Sequence, residues 1–173
     1  NESNTLQEKE NISMEVIGLS NSQKMMLKDE SIDLQSASTV YEKSESLEQS
    51  DTNKMIKHMI AKPASSRIII DCSASDEIPD QYENIFENEI NIVTANKKGL
   101  SGSFEKYLSI MNAKESKGIN FLYETTAGAA LPFIKSVSDI TSSSDEVRKI
   151  EGIFSGTLAY LFNTYDSSIP FSE

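Results

Sequence analysis

From residue 67 onward, short β-branched runs alternate with helical stretches, and this alternation restricts the fold more than any other feature of the chain. Arg67-Ile68-Ile69-Ile70-Asp71-Cys72 reads as a strand buried on both faces. The segment from Asp76 to Glu89 holds six carboxylates and no basic residue, with Tyr82, Ile85 and Phe86 on one helical stripe. Ile90 to Thr94 is the next strand and Ala95-Asn96-Lys97-Lys98-Gly99 the loop after it. Ser103 then caps a helix whose stripe is Phe104, Tyr107, Leu108 and Met111, and Gly118 ends it. Ile119 to Glu124 makes another strand, which leads through the small-residue turn Thr126 to Ala130 into a helix reaching about Thr141. Strands joined through helices become parallel neighbours, because the chain must cross back over the sheet before the next strand begins. The expected class is therefore α/β, a Rossmann-type parallel sheet with flanking helices. In such sheets ligands bind beyond the carboxyl ends of the strands. Here those ends are Ser73-Ala74-Ser75, Thr94 to Lys98, and Glu124 to Leu131.

The rest of the chain is less regular. Composition shifts near residue 62, and the part before it carries a Ser/Glu-rich connector from Gln35 to Ser50. Ile12 to Gly18 alternates apolar and polar residues ahead of the turn-formers Ser20-Asn21-Ser22, which predicts a strand. Ser50-Asp51 begins a helix with Met55, Ile56, Met59 and Ile60 on one side. Val147 to Ile153 reads as a strand, Ser155-Gly156-Thr157 opens a helix, and Ser172-Glu173 reads as the first turn of another. Sixteen basic against 27 acidic residues leave a net charge of −11. That balance argues against nucleic-acid and anionic-membrane partners held by Lys and Arg, and favours a small soluble one. Cys72 is the single cysteine and cannot form an internal disulfide; inside a strand it is expected to be a core thiol. His58, on a Met- and Ile-rich helix, is expected to be structural.

A dinucleotide site normally opens with GxGxxG between the first strand and helix, and none of the seven glycines is so arranged. Three stretches nevertheless resemble the central motifs of homoserine dehydrogenases. They are Ile92-Val93-Thr94-Ala95-Asn96-Lys97-Lys98, the run Phe121-Leu122-Tyr123-Glu124-Thr125-Thr126-Ala127-Gly128-Ala129-Ala130-Leu131-Pro132, and Ile153-Phe154-Ser155-Gly156-Thr157-Leu158-Ala159-Tyr160-Leu161-Phe162. Their order and spacing match as well. Val16 to Ser22, Ile70 to Ser75 and Phe171-Ser172-Glu173 are most similar to the dehydrogenase half of the bifunctional aspartokinase–homoserine dehydrogenases.

The resemblance implies hydride transfer between NADP (or NAD) and L-aspartate 4-semialdehyde, giving L-homoserine on the route to threonine and methionine. It implies that residues 1–131 are the cofactor domain without its first βα unit, and that 132–173 begin the α+β substrate and dimerisation domain. Lys97 would lie beside nicotinamide and substrate, in a catalytic and cofactor-binding role, and Ser73 would contact the cofactor. Glu124, with the carbonyls of Ala127, Ala129 and Leu131, would hold a monovalent cation, expected to be sodium; oxygen ligands suit a hard cation. Ala130 stands where a Gly is common and would be strained if that position needs a positive φ. The absence of an acid in Leu19-Ser20-Asn21-Ser22, with Lys24 close by, favours NADP. The family's proton-donating Lys and acidic homoserine ligands are expected beyond Glu173, so this chain alone is expected to be inactive. A homo-oligomeric full-length protein in the cytoplasm, or in a plastid, fits this picture. The alternatives are a non-catalytic α/β scaffold or regulatory relative, and another NAD(P)-dependent dehydrogenase.

Overall fold

The turn-formers Ser20-Asn21-Ser22 close a hairpin in the computed structural model, which describes residues 2–43, 47–129, 131–168 and 170–171. The chain divides into two units, residues 1–65 and 66–173. In the first, α1 (Glu2–Glu10) precedes β1 (Gly18–Ser20), which pairs antiparallel with β2 (Lys24–Leu27). Asn21 Oδ1 accepts from the backbone N–H of Gln23 and Lys24 at 2.8 and 2.9 Å, the side-chain bond that makes Asn a turn residue. After α2 (Ala37–Lys43), β3 (Glu48–Gln49) adds to β2, and Met25 and Met26 are buried. Asp51 caps α3 (Thr52–Ala61), its Oδ1 accepting from Lys54 N at 3.0 Å. Ile56 is the buried residue on the apolar side of α3, whereas Ile60 is exposed. His58 is structural, with Nε2 2.9 Å from the Lys28 carbonyl.

The strand expected over residues 12–18 is not formed: the ladder begins at Gly18 and is antiparallel. Val16 and Ile17 instead accept single bonds from Ile32 N (2.7 Å) and Lys28 N (2.9 Å), while Ile12 and Met14 are exposed.

The second unit carries the expected parallel sheet, β4 (Ile68–Asp71), β5 (Asn91–Thr94) and β6 (Phe121–Leu122), in the order β4-β5-β6. The register aligns Ile69 with Ile92 and Ile92 with Phe121, and one residue on, Ile70 with Val93 and Val93 with Leu122. Because side chains alternate along a strand, these rows lie on opposite faces. The first row is buried. Beneath it lie Tyr82, Ile85 and Phe86 of α4 (Tyr82–Glu87), reached through a 3₁₀ turn at Pro79–Gln81, and Ile110 of α5 (Phe104–Lys117). Rings of Tyr82 and Phe86 meet Phe121 edge to face at 5.4 and 5.5 Å. The second row is bare, with Ile70 70% and Leu122 58% exposed. β4 is therefore not buried on both faces as expected. Both crossovers run the same way along the sheet, and right-handed connections then place α4 and α5 on one side.

α5 keeps its predicted caps: Ser103 Oγ accepts from Lys106 N at 3.2 Å, and Gly118 adopts φ 62°. Its packed side is centred on Ile110, while Phe104 and Leu108 of the predicted stripe are exposed. Further on lie α6 (Phe133–Ser142) and α7 (Gly156–Thr164), the latter capped by Ser155 as expected, with Leu158 N donating to its Oγ at 3.2 Å. Val147–Ile153 is not a strand; among the described residues it has no ladder partner. No described residue from 131 on is buried. The readings at Ala130 and Ser172-Glu173 fall outside the described residues. Among the described residues no helix is long and apolar enough to cross a membrane.

Candidate functional site

The three loops singled out in the sequence all leave the carboxyl ends of the parallel strands. At the end of β4, Asp71 is a carboxyl group only 3% exposed, and four donors converge on it. Ser73 N and Ser73 Oγ donate to Oδ1 at 2.9 and 2.7 Å. Tyr82 OH and Asn96 Nδ2 donate to Oδ2 at 2.7 and 3.2 Å. A buried carboxyl group is expensive unless its lone pairs are met, and these donors meet them. The price is fixed geometry: the residue that ends β4 holds its own loop, the helix beneath and the loop of the next strand.

The loop after β5 is tied down from the other side. Thr94 Oγ1 accepts from Asn96 N at 2.9 Å, lies 3.0 Å from Tyr82 OH and donates to the Asp71 carbonyl at 3.2 Å. Asn96, 2% exposed, sends Nδ2 to the Ser75 carbonyl (2.8 Å) and to Ser73 Oγ (3.1 Å), and its Oδ1 accepts from Lys98 N at 3.1 Å. Gly99 closes the loop where a side chain does not fit, since a Cβ there would stand 2.7 Å from Tyr82 Cε2. Burial pushes the Tyr82 phenol well above its ordinary pKa; the neighbouring Asp71 pushes the same way, and the Thr94 hydroxyl opposes.

Ser73 and Lys97 are both exposed on this rim, and the Asn96 amide joins their two loops. The Lys97 carbonyl accepts from Leu100 N (3.2 Å) and Ser101 N (3.1 Å) in a tight turn, and among the described residues its amine makes no ion pair. Lys98 is instead paired with Asp76 at 2.8 Å, which holds the Asp76 carboxyl below its ordinary pKa. Cys72 is exposed, not a core thiol: β4 ends at Asp71, and the thiol lies just past the ladder.

The third loop leaves β6 through a 3₁₀ turn, Glu124–Thr126. Glu124 is half-buried, and its Oε1 and Oε2 accept from Ile134 N (2.8 Å) and Lys135 N (2.9 Å) in the first turn of α6. An acid there meets orphan N–H groups and the positive end of the helix. Gly128 (φ 70°) and Ala129 (φ 52°) reverse the chain in left-handed conformations, and the Leu131 carbonyl accepts from Phe133 N at 2.7 Å. Thr125 Oγ1 reaches the Thr94 carbonyl at 3.5 Å, linking this loop to β5.

Sequence reasoning placed Thr94 and Asn96 in a strand-end loop without giving either a role, assigned none to Asp71 and Gly99, and gave Tyr82 only a packing role. A visible signal was the polar residue closing a β-branched run with Ser two positions on, the spacing of a side-chain-to-backbone turn.

Comparison with known proteins now decides the family. The model of the homoserine dehydrogenase NAD-binding domain matches residues 3–124, and the homoserine dehydrogenase model matches residues 132–173. The chain belongs to the homoserine dehydrogenase family. A bifunctional aspartokinase/homoserine dehydrogenase 2, chloroplastic, from Zea mays is 32% identical over 174 residues, covering 100% of this chain and 19% of the relative. The chain thus spans about one fifth of the length of that relative. A Candida auris protein of unknown function, solved as a crystal structure, superposes with TM-score 0.76 at 28% identity, over 87% of this chain and 42% of that one. A hyperthermophilic archaeal homoserine dehydrogenase, solved in complex with NADPH, shares the fold with TM-score 0.57 at 21% identity, over 78% and 43% of the two chains. In family terms, the buried network lies wholly within the NAD-binding match, and Glu124 is its last residue.

Proposed function

We propose that the intact protein is an NAD(P)-dependent oxidoreductase interconverting L-aspartate 4-semialdehyde and L-homoserine, and that this chain contributes the cofactor-facing rim. The observation that carries the reading is the pairing of exposed Ser73 and Lys97 on adjacent strand ends, held by one buried network, inside a match to the family's NAD-binding domain. Residues 1–131 would belong to the cofactor domain and 132–173 to the start of the substrate domain.

NAD(P)H, when bound, supplies the hydride that turns the aldehyde into an alcohol. The residues described do the holding. The Ser73 hydroxyl is fixed in direction by Asp71 and offers a polar contact at the β4 end. Lys97 brings to the β5 end an amine that makes no ion pair among the described residues, where it can balance substrate carboxylate or developing oxyanion charge. NADP is the proposed form, on the sequence ground that Leu19-Ser20-Asn21-Ser22 holds no acid and Lys24 is close by.

Glu124 and the carbonyls of Ala127, Ala129 and Leu131 would hold the monovalent cation. The donor set fits, being all oxygen. Each Glu124 oxygen gives one lone pair to an α6 N–H and keeps another, and the left-handed pair at Gly128 and Ala129 turns the loop back on itself. The cation would neutralise a carboxylate there and stiffen the loop beside the β6 end. The setting we propose is the cytoplasm, with a plastid equally compatible with the chloroplastic relative, and the partner a small molecule bound by a homo-oligomer.

The test is NADPH-dependent reduction of aspartate semialdehyde by the intact protein. Turnover that falls at least 100-fold in Lys97→Ala is expected; absence of turnover above background in the unaltered protein overturns the reading.

A further inference from the structure

The bonds around Ser73 settle which way its hydroxyl can act. A serine hydroxyl has one proton and two lone pairs. Asp71 Oδ1 can only accept, so the 2.7 Å contact takes the proton. The orientation of the Asn96 amide follows from its partners: Nδ2 faces a carboxylate oxygen of Asp71 and the Ser75 carbonyl, and Oδ1 faces the Lys98 N–H. Its two Nδ2 protons are shared among three acceptors, the Ser75 carbonyl at 2.8 Å, Ser73 Oγ at 3.1 Å and Asp71 Oδ2 at 3.2 Å, so the amide turns its donor side to one lone pair of the Ser73 hydroxyl. One lone pair is left, on an exposed residue.

We propose that Asp71 and Asn96 are positioning residues that present the Ser73 hydroxyl to the cofactor as an acceptor only, so that it receives an N–H or O–H of the nicotinamide nucleoside. This rests on the reading of Ser73 as a cofactor contact. An acceptor-only hydroxyl offers nothing to a phosphate oxygen, which places Ser73 against the carboxamide or a ribose hydroxyl. The network has a second effect. Asn96 immediately precedes Lys97, so the amide that orients Ser73 also sets where the Lys97 loop begins. Asp71 reaches the cofactor through Ser73 and is buried itself, which separates its role from that of a contact residue.

The experiment is a double-mutant cycle on NADPH dissociation constants in the intact protein, with Ser73→Ala, Asp71→Asn and the pair, each with its melting temperature recorded. Asp71→Asn puts an amide N–H against either Asn96 Nδ2 or the Ser73 N–H, donor against donor, and loosens the frame. Each single change is expected to weaken NADPH about tenfold, and the double change also about tenfold, because the second loss acts through a contact already gone. Ser73→Thr, which keeps the hydroxyl, is expected to stay within about threefold of the unaltered protein. If the double change costs about a hundredfold, Asp71 acts independently of Ser73 and the proposal falls; it falls equally if Asp71→Asn binds NADPH normally. Should Asp71→Asn fail to fold, Asn96→Ser reads the same tie from the other loop, with the same non-additivity expected and additivity overturning it. An unaltered protein that binds no NADPH would instead overturn the proposed function.

Discussion

The two faces of one sheet carry nearly the same chemistry and have opposite fates. Ile69, Ile92 and Phe121 are buried under α4 and α5, whereas Ile70, Val93 and Leu122, one position along each strand, face outward. The residue types hardly differ, so hydrophobicity does not decide which row is core. The connections do: two right-handed crossovers running in one direction deliver both helices to the same side. An apolar strand run therefore states that two covers suit it, and topology states how many this chain supplies.

The sharpest way to break this comparison is truncation on each face. Phe121→Ala is expected to cost about 3–5 kcal/mol, the range for a buried aromatic, and Leu122→Ala less than about 0.5 kcal/mol, as for an exposed site. Urea denaturation of the chain reads both; equal costs would mean the second face is covered in solution. The buried face should also respond to alkali. Because the folded Tyr82 phenol titrates above the free value of 10.0, the folded state keeps a proton that the unfolded state loses, and stability declines as pH rises past that value. Tyr82→Phe should flatten the decline, measured by melting temperature between neutral pH and about pH 11. Gly99→Ala pushes a Cβ into the same ring and is expected to cost about 1–3 kcal/mol; a neutral result would show the loop giving way. Ser103→Ala tests a contribution that needs neither face, the α5 cap, and should cost about 1 kcal/mol. Smallest is the exposed Asp76–Lys98 pair. Its lowered carboxyl pKa adds stability above the ordinary value of 3.8 that is lost as pH falls through the folded value, and Lys98→Ala should remove only that acid-side slope.

Much of this was legible because local signals agreed. The caps Asp51, Ser103, Ser155 and Gly118, and the stripe Tyr82, Ile85, Phe86, need only near neighbours in sequence. The parallel direction of the strands followed from the alternation of elements. What was not legible depends on distant partners. Residues 12–17 and Val147–Ile153 have strand-like patterns and lack a ladder among the described residues, and a pattern cannot report the missing edge. The α5 stripe was misplaced, because Ile110 is the buried residue of α5 while Leu108 is exposed. At the candidate site, the exposed Ser73 and Lys97 stand just past strand ends, where the alternation of elements put their loops. Asp71 and Asn96 were given no role because a buried polar residue is identified by the donors around it, and those come from three separate segments.

Glu124 has a mechanical consequence. The NAD-binding match ends at this residue, the next match begins at 132, and α6 starts at Phe133. A stretch of this kind between two family segments would ordinarily serve as a hinge. Here one carboxylate spans it, attached through its backbone to the end of the sheet and through both oxygens to the first turn of α6. The joint is therefore braced: α6 can swing only by stripping two helix N–H groups and a carboxylate of their partners at once.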